Sequence, residues 1–508
     1  MKFALKTLLL FTTLFIAADI PLFAQEIKAV IAGDFADPSV IRKGNEYFAI
    51  GTSSEWAPHF PIYKSGNLKD WKQSGYVFDV TPEWAGSSFW APEYYFHNNT
   101  YFVYYSAKRK KDGVSCIGVA TSKYPDRDFK DHGVIIEYGK EAIDAFLFND
   151  NGQLYITWKA YGLDGRPIEI LGSTVSSDGL SLTGTPFTMM KDDQGIGLEG
   201  QSILKKDDFY YLFYSVGNCC GSKCDYNVRV ARSKDFKGPY ENHLKNPILQ
   251  ENADWKCSGH GTFVNSPDGK YYYLYHAYNK ESTVFTGRQG MLAELVWAGK
   301  NEWPSFTALS AGLISAGKNN IKDDFNSKSI ANYWQWDFRN ATPVVKQQKG
   351  SLHLSGSITK SNNTGVVLTL RPTAMDYEMT TTVMNQNNAL KGLVIYGDAN
   401  AALGIGVVNN QVEFWSSKDR KRTVLKSILL KNPAAPVDLK ITVLPDHTCK
   451  VYWKQQKDAW EELVYADQGY SMNHLPQWDR SPRVGLCFHG TPELEAVFSS
   501  FNLSYSEK

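Results

Sequence analysis

Five segments of this chain can be laid over one another, and that repeat limits the fold more than any other feature. They begin at Asp37 (DPSVIRKGNEYFAIGTS), Glu93 (EYYFHNNTYFVYYSA), Asp144 (DAFLFNDNGQLYITWKA), Glu199 (EGQSILKKDDFYYLFYSV) and His260 (HGTFVNSPDGKYYYLYHA). Each opens on a polar residue, runs as a short apolar strand, turns through polar residues and returns as a strand rich in Tyr and Phe. Turns such as Asn-Gly and Asp-Gly tolerate positive φ, so each unit reads as a hairpin. IYKSGNLKDW, IGVATSKYP, ILGSTVSSDGL and VRVARSKDF add a recurring third strand. The openings lie 56, 51, 55 and 61 residues apart. That period, with several strands per unit, is the signature of a propeller blade, and five units predict an all-β, five-bladed β-propeller over residues 25–318.

The innermost strand of each blade runs along the axis of a propeller, so Asp37, Glu93, Asp144, Glu199 and His260 are expected to converge on one mouth of the channel. One acid at a strand start is ordinarily a solvated turn residue. Four acids in register are a poor way to stabilise a fold, because like charges repel and desolvation is costly. Crowding also separates carboxyl pKa values, leaving one group protonated and another ionised. Acid–base hydrolysis of an acetal needs that pair. Its inverting form places the two carboxyls ~6.5–9.5 Å apart to admit a water.

After GLISAGKNN the five-fold pattern stops. From about Asp323, stretches such as GSLHLSG, GVVLTLRP, YEMTTTVM and PVDLKITVLPDHTCKVYW alternate as strands with short turns. They predict a second domain over 319–508, a jelly-roll β-sandwich. Aromatic residues make up 14% of the chain, which suits strand packing. A net charge of +1 gives no electrostatic case for nucleic acid. Residues 1–24 carry Lys2 and Lys6, an apolar run and a small-residue end at Ala24, the pattern of a secretory signal peptide. Asp19 and Pro21 interrupt the run and argue against a membrane span, so an exported protein, periplasmic or extracellular, with no membrane insertion after cleavage is expected. Of seven cysteines, a bridge between two of Cys219, Cys220, Cys224 and Cys257 is expected, and the odd count leaves at least one thiol unpaired. Zinc is the weaker reading of that cluster, since no second pair or near His completes a ligand set.

FADPSVI, FWAPEYYF, IDAFLFNDNGQLYITW, GLEGQSILKKDDFYYLFYS and GHGTFVNSPDGKYYYLYH, in that order, resemble glycoside hydrolase family 43. The resemblance implies a five-bladed propeller that hydrolyses glycosides with inversion. It places Asp37 on the general base, Glu199 on the general acid and Asp144 on the acid that orients Glu199 and tunes its pKa, although Ala145 stands where the family more often has proline. His260 matches a histidine near a channel metal ion, often calcium, reached directly or through water. Trp90 matches a position beside the sugar pocket, with an inter-blade core position as the alternative. Arg288 matches an arginine that reaches the pocket, with a surface ion pair as the alternative. Glu93 is read as a hydrogen-bonding or supporting group beside the substrate. The C-terminal part resembles the concanavalin-like sandwich of exo-acting members, and bracing is its default role.

The resemblance implies a carbohydrate substrate, foremost an α-L-arabinofuranoside or β-D-xyloside of plant polysaccharides. An endo-arabinanase or a galactan-directed member is the alternative within the family, and a catalytically inactive glycan-binding propeller is the alternative outside it. A retaining fructosidase would need an NDPNG-like opening, and ADPSV differs from that.

Overall fold

A computed structural model describes residues 28–308 and 319–506. The expected signal peptide at 1–24 and the domain boundary at 318 lie outside the described residues. Strand is almost the only regular structure among the described residues, and the chain forms a five-bladed propeller followed by a two-sheet sandwich. Each blade is a four-stranded antiparallel meander. The innermost strands are Ser39–Lys43, Ala85–His97, Ala142–Asp150, Glu199–Lys206 and Trp255–Asn265. The third strands include Ser115–Ser122, Glu169–Thr174 and Asn227–Ser233, where the recurring third-strand stretches lie.

Apolar side chains fill the joints between blades. Phe60, Phe89 and Tyr105 close blade 1 on blade 2, and Tyr104, Leu147 and Trp158 close blade 2 on blade 3. Ile170 with Leu212, Phe213 with Tyr275, and Phe35 with Leu274 complete the ring. This is where the aromatic share of the composition goes. The ring is sealed by backbone: Val30 and Ile31 donate to the Gly290 carbonyl, and Val40 N–H donates to Thr262 Oγ1 at 2.9 Å.

The inner strands share one irregularity that positions the site. Asp37, Ala91, Asp144, Gly200 and His260 all have positive φ (49°, 40°, 58°, 59° and 34°). In blades 2 to 5 the strand register slips at these residues. A bulge of this kind breaks strict alternation and re-aims side chains. Four of the five are not glycine and hold a conformation that costs an L-residue roughly 1–2 kcal/mol. Such strain is typical of functional sites. The five-fold register is therefore Asp37, Ala91, Asp144, Gly200, His260, which corrects the sequence-based alignment. Glu93 lies two residues past the equivalent position in its blade, and Glu199 lies one before.

A second column latches the blades together. Thr52, Ser106, Lys159, Ser215 and His276 occupy equivalent positions at the ends of the second strands. Thr52 Oγ1 accepts Ala91 N–H (2.8 Å), Ser106 Oγ accepts Asp144 N–H (3.1 Å), Ser215 Oγ accepts His260 N–H (2.9 Å) and His276 Nδ1 accepts Asp37 N–H (3.0 Å). At each joint the second strand of one blade holds the bulge of the next. Lysine has donors and no acceptor, so at Lys159 the latch is replaced: Gly200 N–H donates to Asp144 Oδ2 at 2.9 Å.

The sandwich packs a sheet containing Tyr377–Met384 and Ala496–Tyr505 on one containing Leu390–Asp398 and Arg483–His489, around Leu368, Met379, Leu393, Ile441 and Phe498. It joins the propeller by strand pairing, Trp336–Asp337 against Trp56–Ala57, with Trp56 buried beside Trp415 and Tyr396.

Candidate active site

Asp37, Asp144, Glu199, His260 and Arg288 meet at one end of the channel. Asp37 is buried and fully engaged. Arg288 Nη1 donates to its Oδ1 (3.0 Å), and Thr52 Oγ1 donates to its Oδ2 (2.7 Å). Burial, the largest influence, would raise its pKa, but the Arg288 guanidinium together with His276 and His260 holds the carboxyl well below the usual range. Burial also keeps His276 neutral, with its pKa lowered to about 4. Its Nδ1 lies 3.0 Å from the Asp37 amide nitrogen and 3.2 Å from Asp37 Oδ1. His260 Nδ1 stands between the two aspartates, 3.6 Å from Asp37 Oδ1 and 3.8 Å from Asp144 Oδ2. Its ring lies against Gly200, where a Cβ would come within 2.8 Å of the ring.

Asp144 and Glu199 behave as a pair. Burial, opposed in part by His260 and reinforced by the Glu199 charge, raises Asp144 to about 6. Glu199 is partly buried, which would raise its pKa, but Lys159 Nζ donates to its Oε2 at 2.8 Å and Tyr226 OH to its Oε1 at 2.9 Å, and its pKa is lowered. The protons of such a pair belong to both groups. The two are pushed in opposite directions, Asp144 up and Glu199 down. One permanently ionised carboxylate thus faces a pair that keeps a proton up to about pH 6. That is the equipment for moving protons at both ends of an acetal.

Residues 27–304 match the family model described as glycosyl hydrolases family 43. The chain belongs to glycoside hydrolase family 43. Residues 322–487 match the β-xylosidase C-terminal concanavalin A-like domain. An extracellular exo-α-(1→5)-L-arabinofuranosidase of Cellvibrio japonicus is 28% identical over 53% of this chain and 86% of that enzyme. A xylan 1,3-β-xylosidase of Vibrio is 27% identical over 54% of this chain and 56% of that enzyme. The xylan β-1,4-xylosidase structure from Bacillus halodurans superposes with a TM-score of 0.82 at 21% identity, covering 94% of this chain and 99% of that one. It shares the two-domain fold. This chain is therefore a glycosidase that acts on carbohydrate.

In this family-43 glycosidase the sandwich reaches the site. Trp90 Nε1–H donates to Asp479 Oδ2 (3.1 Å), and the Trp90 ring meets Trp478 edge to face at 5.7 Å. Arg288 Nη2 donates to the Asp479 carbonyl (3.1 Å). Asp34 ties the loop down, accepting from Arg288 N–H and Ser481 N–H. Trp90 thus stands at the mouth between the domains, and Arg288 is buried on Asp37 instead of lying at the surface. The sandwich does more than brace.

Glu93 is placed differently from expectation. It lies one layer down the channel, buried, accepting from Ser39 Oγ at 2.8 Å. Burial raises its pKa to about 8. A carboxyl whose folded pKa is raised stabilises the fold fully below its unfolded value and loses that contribution as pH rises through the folded one. Glu93→Gln, permanently neutral, is expected to match wild type in Tm near pH 4.5 and to exceed it by a few degrees at pH 8, read by thermal melts at both values.

Calcium takes six to eight oxygens. Among the described residues no group of three or more His, Cys, Asp or Glu side chains is arranged to hold an ion. His260 brings one ring to the channel, so these side chains do not fit a calcium gripped directly at His260, and water would have to supply most of its shell. The cysteine cluster forms two bridges, Cys219–Cys220 and Cys224–Cys257, leaving Cys116, Cys449 and Cys487 buried and free. Thr52, Lys159, Tyr226, His276 and Asp479 were missed by sequence reasoning. The first, second and fourth were visible in the repeat: the second strands end GTS, WKA and YHA at the same register.

Proposed function

We infer that this glycosidase is an exported, inverting α-L-arabinofuranosidase that removes terminal units from plant polysaccharides or their oligosaccharides. The observation that carries the hydrolysis is the opposed protonation of Asp37 and the Asp144–Glu199 pair, and inversion is what membership of family 43 implies for it. Asp37 takes a proton from water as the water oxygen bonds to the anomeric carbon. The bond from that carbon to the leaving oxygen breaks, and Glu199 gives the oxygen its proton. Asp144 holds the pair's proton in the free site and tunes Glu199. Arg288 and Thr52 keep Asp37 oriented.

The arabinofuranosidase and arabinanase among the relatives of the propeller support the choice of sugar. The sandwich loop at Trp478–Ser481, set against Trp90 and Arg288 at the mouth, supports action on chain ends. A β-D-xylosidase is the second reading, favoured by the match of the sandwich to the β-xylosidase domain. The test is turnover of 4-nitrophenyl α-L-arabinofuranoside against the β-D-xyloside, with linear and branched arabinan. Arabinose released from branches or ends supports the first reading, and xylose alone replaces it with the second. Proton NMR of the first product should show the inverted anomer, and the retained anomer would overturn inversion. Export rests on the pattern of residues 1–24 and is read from a mature N-terminus at Gln25.

The pH profile follows from the pair. The Asp144–Glu199 pair must hold a proton for Glu199 to deliver, so activity is present below the pair's upper pKa and lost above it. On a substrate with a poor leaving group, kcat/KM is expected to level below about pH 6 and to fall about tenfold per pH unit above it. A profile flat to pH 8 would contradict this.

A further inference from the structure

Four joints of the propeller use a hydroxyl or an imidazole to hold the next blade's bulge, and one uses lysine. Lys159 gives up that latch and is buried, so its presence needs another reason. Its ammonium lies 2.8 Å from Glu199 Oε2 and 3.4 Å from Glu141 Oε2. Glu141 is itself buried, and a Cβ at Gly162 would come within 2.0 Å of Glu141 Oε2, so glycine there leaves room for that carboxylate. Three residues thus form a row, Glu141–Lys159–Glu199, running from the body of blade 3 to the site. Tyr226, on the other oxygen, completes a two-point grip on the Glu199 carboxyl.

We propose that Lys159, seated by Glu141, is the positioning residue of the acid: it fixes the rotation of the Glu199 carboxyl and directs the proton of the Asp144–Glu199 pair to Asp144 until substrate enters. This rests on the reading of Glu199 as the acid. The groups facing Glu199 are Lys159 and Asp144 from blade 3, Tyr226 from its own blade and His260 from blade 5. Lys159 faces Glu199, Glu141 and Asp144. Lys159 and His260 are the basic side chains in that set. Lys159 is the one bonded to the acid, so removing it should let the pair hold its proton to higher pH.

The test compares wild type, Lys159→Met and Lys159→Arg on an arabino-oligosaccharide and on 4-nitrophenyl α-L-arabinofuranoside, or on the xylo-equivalents if those are the substrates. For Lys159→Met the basic limb of kcat/KM should move up by about one pH unit. Its kcat should fall about 10–100-fold on the oligosaccharide and by less than about threefold on the aryl glycoside, with KM little changed. Lys159→Arg should restore the limb. Because Lys159→Met leaves the buried Glu141 and the partly buried Glu199 without their cation, the double variant Lys159→Met/Glu141→Gln is measured alongside and should show the same limb shift with better folding. An unmoved limb with equal losses on both substrates, in either variant, would overturn the proposal. A Glu199→Ala enzyme that remains active would instead remove the reading on which it rests.

Discussion

Glu199→Ala is expected to lower hydrolysis of an oligosaccharide by about 10²–10⁴-fold, the range that positioned proton transfer contributes. Much of that loss should disappear with an aryl leaving group that departs without a proton. The reason is local. Glu199 sits one residue before the bulge at Gly200, held by Lys159 and Tyr226. Alanine there removes the proton donor and leaves the strand pairing of Glu199 with Ser215 on the backbone. Circular dichroism should therefore match wild type. Equal losses on both leaving groups would assign Glu199 another role.

Asp37→Asn is expected to cost at least as much, and no leaving group should recover it, because the group lost is the one proposed to take the water proton. Asparagine is the better replacement. Asp37→Ala would strand Arg288, which is buried with Asp37 as its carboxylate partner, and uncovering one half of a buried pair costs about 3–5 kcal/mol. The alanine variant should therefore lose more stability than the asparagine variant, which keeps an oxygen to accept from Arg288. Near-normal activity in Asp37→Asn, measured on both substrate types, would remove Asp37 from the chemistry.

The repeat was legible because hairpin turns and Tyr-rich return strands are local signals, and five of them fix a ring. Its register was less so. A bulge adds a residue without changing composition, so aligning polar openings took Glu93 for the partner of Asp37 when Ala91 holds that place. The acids themselves were found because their types and order are distinctive. Their keepers were not, for a physical reason. His276 reaches Asp37 across the closure of the ring, and Lys159 reaches Glu199 across a joint between blades. Asp479 bonds Trp90 from 389 residues away. Each contact exists only after the blades and the sandwich have closed on one another, and no local pattern encodes it. The disulfides show the same limit: the cluster was evident, and the reach from Cys224 to Cys257 follows from blade 5 lying beside that loop.

Asp479 is bound to both Trp90 and Arg288, so the two domains share their contacts with the reacting centre. Warming that loosens the seam between them would pull the Arg288 support from Asp37 while every blade is still intact. Loss of activity in heat then need not await the melting of the ring that carries the acids, because a few residues of the accessory half help to seat them.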